Sequence, residues 1–201
     1  MIPDPGQTHA FQPLTPNERP IVVRRATRLI VRTGAGGSVR IFLQHDSDPG
    51  AGMEWWMTPG GGLDDDETFQ AAGVRELFEE TGWTVGLDDL VGPVAHRIVA
   101  HGYSDKVLVQ EEQFFLVDID TPLPVDNSGF TAVEVATILG EGWFTAQQLE
   151  NLRVFPADIT RFFAADKDTF VEYGEVDESI IALDERFVPG FIPQLLDTIT
   201  P

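Results

Sequence analysis

Glu76, Glu79 and Glu80 are spaced i, i+3 and i+4, so on a helix three carboxylates share one face. Ala71, Val74, Leu77 and Phe78 fall on the other side and predict an apolar stripe that docks on a core. Glutamates in the last turns of a helix oppose its macrodipole and repel one another by a few tenths of a kcal/mol each. A hard divalent cation with oxygen ligands would offset that cost, and Mg²⁺ needs only a few carboxylates because it keeps several waters. The chemistry such a group can do is what a bound cation does to water and to an anionic substrate. A cation neutralises the charge of such a substrate and makes water a better nucleophile near neutral pH.

The neighbouring residues add constraints that a solvated acidic face would not need. Gly61 precedes Glu67 by six positions, and Arg75-Glu76-Leu77-Phe78-Glu79-Glu80-Thr81-Gly82-Trp83 follows. The segment resembles the Nudix box, G-x5-E-x7-R-E-U-x-E-E-x-G-U with U bulky and apolar, and meets every defined position. From average residue frequencies, a chance match in a chain of this length is on the order of one in ten million. Trp56 and Pro59-Gly60-Gly61-Gly62 ahead of the box are also typical of the family. So are an acidic strand running into Phe114-Phe115 and the later Gly142-Trp143-Phe144-Thr145. The resemblance spans residues 20 to 165 and implies an α/β/α sandwich around a mixed β-sheet.

What the resemblance implies for the site is specific. Glu76, Glu79, Glu80 and the Gly61 carbonyl would hold Mg²⁺ or Mn²⁺, with Glu79 also polarising the water. Glu67 and Arg75 would form a structural ion pair, and Gly82 would close the helix. Outside the box, Glu112 is the favoured further carboxylate, as ligand or general base, with Glu111, Glu134 and Glu141 behind it. Arg28 and Trp56 are the expected substrate contacts, on phosphate and nucleobase respectively; Trp55 is an alternative stacking surface. The activity implied is cleavage of a pyrophosphate bond in a nucleoside diphosphate linked to another moiety. A module that senses a nucleotide without cutting it is the alternative. Ile98 stands where many ADP-ribose hydrolases have proline, and Tyr103 falls late for the dinucleoside polyphosphate pattern, so the substrate stays open.

The elements that must position these residues are legible in outline. Strands are expected at 21–32, 38–44, 93–99, 106–119 and 142–144, with a loop over 45–53. The box helix is expected to begin near Asp66 or Glu67 and to stop at Gly82. Thr145 reads as the N-cap of a helix over 146–152, Pro156 as the first turn of another over 156–165, and residues 189–199 as a terminal helix. Residues 1–18 read as an extended arm and 19–165 as the hydrolase domain. Residues 166–201 read as an extension packed on that domain or on a dimer partner.

Composition sets the remaining bounds. The 201 residues carry 13 basic and 33 acidic side chains, a net charge of −20, which argues against nucleic-acid polymers and anionic membranes as partners. Six arginines without an acid lie between Arg19 and Gln44, and one or two of them are expected to meet phosphate. The absence of cysteine excludes disulfides and thiolate chemistry. No membrane span or secretory signal is apparent, so the expected location is cytoplasmic. The many large apolar residues beyond Phe170 predict a homodimer.

Overall fold

A computed structural model describes residues 13–187. Its backbone runs β1 (Ile21–Thr33), β2 (Arg40–Asp48), β3 (Met53–Met57), α1 (Phe69–Thr81), β4 (Val91–Gly102) and β5 (Val107–Ile119). It continues through α2 (Ala132–Thr137), β6 (Gly140–Phe144), α3 (Ala146–Leu149), β7 (Val154–Phe155) and β8 (Val171–Asp177). The strands form one mixed sheet in the order β7-β3-β2-β1-β5-β4-β8, with β6 also on β2.

β1 and β5 are parallel along thirteen residues and make the centre of the sheet. Their apolar runs are continuous because both faces are covered, as in parallel sheets generally. Leu29, Val31, Phe115 and Val117 point to one side, where Leu77 of α1 and Trp83 pack. Ile30, Phe114 and Leu116 point to the other, against Leu149, Ile159 and Phe162. The result is the expected α/β/α sandwich.

β2 pairs with β1 only at Arg32–Ile41 and Thr33–Arg40, then turns away to pair with β3 and β6. The edge of β1 so exposed is taken up by the glycine loop. The Thr27 amide donates to the Gly61 carbonyl and the Leu29 amide to the Pro59 carbonyl, both at 2.9 Å. This splay makes the cleft described below.

Several boundaries differ from expectation for local reasons. β2 continues to Asp48 because β3 pairs with it, where the Asp- and Gly-rich composition had suggested a loop. The box helix starts at Phe69 because Thr68 caps it, accepting from the Ala71 amide, while Asp66 takes a left-handed turn at φ 63°. Gly82 ends it in the left-handed conformation, as expected. Phe78 is 56% exposed, so it does not join the buried stripe. Thr145 does cap α3, but that helix is a single turn, and the segment expected as a helix from Pro156 is a 3-10 turn over Ile159–Ala164.

The extension after residue 165 takes part in the sheet. β8 adds to the edge of β4 in parallel, and Val171 and Tyr173 pack against the core cluster that contains Phe114. Leu183 and Phe187 cover Val107 and Val109. Part of the apolar surface that motivated the homodimer is therefore satisfied within one chain, and the helix expected at 189–199 lies outside the described residues. Among the described residues no helix is long and apolar enough to cross a membrane.

Candidate active site

The site begins with the loop that precedes α1. Gly60 has φ 131°, and a Cβ there would collide with the Thr27 carbonyl, so only glycine permits this approach to β1. Its amide donates to Glu80 Oε2 at 3.0 Å. A Cβ on Gly61 would sit 2.5 Å from the Glu76 carboxylate, the space that glycine leaves in front of that group. Two carboxylates of α1 thus face the backbone of the loop.

Arg75 ties loop to helix. Its Nε and Nη2 donate to Glu67 at 3.1 and 2.8 Å, and Nη2 also reaches the Gly62 carbonyl at 2.9 Å. Its Nη1 reaches Glu76 at 2.8 Å and Glu79 at 3.2 Å. Glu67 also accepts from the Asp64 amide at 3.0 Å, and the Arg75 hydrogen bonds hold its carboxyl below the ordinary range. The forked geometry suits a fixed brace better than a point charge would.

Glu76 and Glu80 are in a different state. Burial raises the Glu80 carboxyl well above its ordinary value, and the neighbouring Glu76 raises it further. Burial raises Glu76 too, partly offset by Arg75. Two acids held close in a poorly solvated place form an unfavourable arrangement for protein alone and a favourable one for a cation. Glu79 points outward, with 49% of its side chain exposed. Among the described residues no three acidic or imidazole groups converge into a complete metal cage. The donors that fit a cation are therefore Glu76, Glu80 and the Gly61 carbonyl, with waters and substrate oxygens left to complete the shell.

In front of them lies a cleft of about 510 Å³. Arg24, Arg28, Gly60 to Gly62, Glu76 and Glu80 line one end; Trp55, Met57, Tyr103 and Leu108 form a more apolar wall; Glu134 comes from α2. Arg24 has no partner for its Nε among the described residues, whereas Arg28 has its Nε on Glu112 and its Nη1 on the Thr58 and Gly60 carbonyls.

Two expected residues, Glu112 and Trp56, take other positions. Glu112 is completely buried and does not line the cleft; it accepts from Arg28 Nε at 2.8 Å and from Arg97 Nε at 2.6 Å. Those guanidiniums bring its carboxyl down to about 2 against the effect of burial, so neither of its oxygens is presented as a ligand or a base. Trp56 stacks on His45, ring centroids 4.5 Å apart, away from the cleft, and its neighbour Trp55 lines the wall. Adjacent strand residues face opposite sides, and this parity was not fixed by sequence. Arg28 does line the cleft, with its Nε held by Glu112 and its Nη1 by the Thr58 and Gly60 carbonyls. Of the other acids considered, Glu111 pairs with Arg25 and His96 at the surface, and Glu134 alone joins the cleft.

The sequence profile described as the NUDIX domain matches residues 23–164. The chain belongs to the NUDIX family. That membership makes it a pyrophosphohydrolase by class. Among solved structures, a MutT NUDIX hydrolase from Burkholderia pseudomallei is 21% identical, with a TM-score of 0.49 over 72% of this chain and 99% of that one. An Ap4A hydrolase from C. elegans is 17% identical, with a TM-score of 0.46 over 68% of this chain and 88% of that one. The MutT protein of Methanosarcina mazei Go1 is 19% identical, with a TM-score of 0.46 over 73% and 94%. A search of curated proteins finds no match. The NUDIX match ends before β8, so that strand and Glu178 after it lie beyond the matched region.

Proposed function

We propose that this NUDIX protein hydrolyses the pyrophosphate bond of a nucleoside diphosphate linked to another moiety, with Mg²⁺ or Mn²⁺ held by Glu76, Glu80 and the Gly61 carbonyl. The observation that carries the reading is Glu80: buried, beside a second acid, and among the described residues hydrogen-bonded only to the Gly60 amide. Such a group is costly unless a cation joins it. When bound, the cation supplies positive charge to the diphosphate and lowers the pKa of water.

The chain's own residues do the rest. Arg24, half-buried with an unpartnered Nε, faces the same end of the cleft and suits a phosphate oxygen. Trp55, Met57 and Leu108 offer an apolar wall to a base or another flat group. Arg75 holds the Glu67 loop, and Arg28 holds the Gly60 backbone, so the carboxylates keep their places. Glu134 on the cleft wall and Glu79 at the helix edge are the acids this reading offers as acceptors of the water's proton.

The test is product analysis across a panel of nucleoside diphosphate derivatives with Mg²⁺ and with chelator. The reading expects a nucleoside monophosphate and a second phosphorylated product in the presence of metal alone. Tight binding without cleavage across the panel would instead mark a nucleotide-sensing module.

A further inference from the structure

A line of buried charges runs from the extension to the glycine loop. Glu178, just after β8, accepts from Arg97 Nη1 at 2.8 Å and from the Ala157 amide at 3.1 Å. Arg97 on β4 meets Glu112 on β5 at 2.6 Å, and Glu112 meets Arg28 on β1 at 2.8 Å. Arg28 Nη1 then reaches the Thr58 and Gly60 carbonyls at 3.4 and 3.3 Å, and the Gly60 amide donates to Glu80 at 3.0 Å. Glu178, Arg97, Glu112 and Arg28 are all buried.

The four form a closed account of charge, two guanidiniums against two carboxylates. His101, buried beside them, is brought down to about 3 by burial and stays neutral. Removing one member of such a set leaves a buried charge without its counterpart. Without the Glu178 carboxylate, Glu112 is the acid left to Arg97 among the described residues, and the two guanidiniums, Arg28 at Oε1 and Arg97 at Oε2, draw on that one carboxylate. Arg28 is the side chain that grips the loop.

We propose that Glu178 is a positioning residue for the glycine loop: by neutralising Arg97 it leaves Glu112 to hold Arg28, and through Arg28 it fixes Gly60 in front of Glu80. The extension after the NUDIX match then serves the active site as well as the sheet edge. Glu178 does not line the cleft. Its effect should appear in turnover and in the order of the loop.

The experiment compares the full-length wild type, Glu178→Gln and the double variant Arg97→Met/Glu178→Gln. Amide hydrogen exchange is followed for peptides covering 58–62 and 69–81. Glu178→Gln is expected to exchange about tenfold faster at 58–62 with 69–81 unchanged, since losing one link loosens what it holds. The double variant removes both extra charges together, so its loop should return toward wild-type protection. Where the single variant fails to fold, the double variant still decides, because it is expected to fold and to protect the loop.

The kinetic arm rests on the hydrolase reading: with Mg²⁺, Glu178→Gln should lose about tenfold in kcat with KM little changed, and the double variant should recover most of it. Unchanged exchange at 58–62 in Glu178→Gln overturns the proposal. So does a double variant that is worse than the single one or does not fold. A wild type inactive on the whole panel would overturn the hydrolase reading alone, since exchange is read without turnover.

Discussion

Each acid of the site is defined by what already holds it. Glu67 is committed to Arg75, Glu112 to Arg28 and Arg97, and Glu80 to a single amide. That difference separates braces from groups still free for chemistry, and it shifts the search for a base to Glu134 and Glu79. Glu134 closes a capping box with Thr131, its Oε2 accepting from the Thr131 amide at 2.6 Å. Glutamine can make the same cap, so Glu134→Gln removes the base without unwinding α2. Attack by a metal-acidified water predicts a rate that rises toward alkaline pH and levels off. If Glu134 takes the proton, Glu134→Gln lowers kcat by about 10²-fold or more and flattens that rise. An unchanged profile takes the role away from Glu134.

At the level of elements, the decisive feature is the parting of β1 from β2, which lets the glycine loop pair with the free edge and brings it before α1. Gly61 is not in a left-handed conformation, so only space is at stake there. Gly61→Ala places a methyl against Glu76, and the Mg²⁺ concentration needed for half-maximal rate should rise about tenfold or more. A metal titration that overlays the wild type would remove Gly61 from the metal site.

The box helix, the Gly82 stop, both central strands and the α/β/α layering could be read from residue patterns, because each has a strong local signal. The orientation of Trp55 against Trp56 could not, since it turns on the register of β3 with β2. Nor could the burial of Glu112, which depends on two guanidiniums reaching it, Arg97 from β4 and Arg28 from β1, a strand distant in sequence. Arg24 was visible as one of six arginines; its spacing of four from Arg28 puts both on one strand face, which was the available hint. β8 was missed because its sequence, Val171–Asp177, alternates weakly and is rich in acids.

For the whole molecule, the buried charges predict how the fold responds to acid. The Glu112 carboxyl lies at about 2, below its ordinary 4.5, because Arg97 and Arg28 stabilise its charged form. Its contribution is therefore fully present above pH 4.5 and is lost as the pH falls toward 2. Glu112→Gln should cost about 3–5 kcal/mol at pH 7 and show a flatter loss of stability in that acid window, measured by urea unfolding. A variant with wild-type stability and slope would contradict the network.

Assembly is a separate matter. The proposed homodimer now rests on the apolar residues from Val188 onward, including Phe191, Ile192, Leu195 and Leu196. Light scattering of the full chain should give twice 22.2 kDa if they meet a second copy; a mass of 22.2 kDa means one chain suffices.

The account stands most directly on Glu80. Turnover of a nucleoside diphosphate derivative should be measured against Mg²⁺ concentration for the wild type and Glu80→Gln, together with the thermal midpoint of each without metal. The account predicts a loss of kcat of several hundredfold in the variant. It also predicts a midpoint at or above that of the wild type, because a buried charge has gone. Near-wild-type turnover in Glu80→Gln, or wild-type activity that persists in chelator, would contradict it.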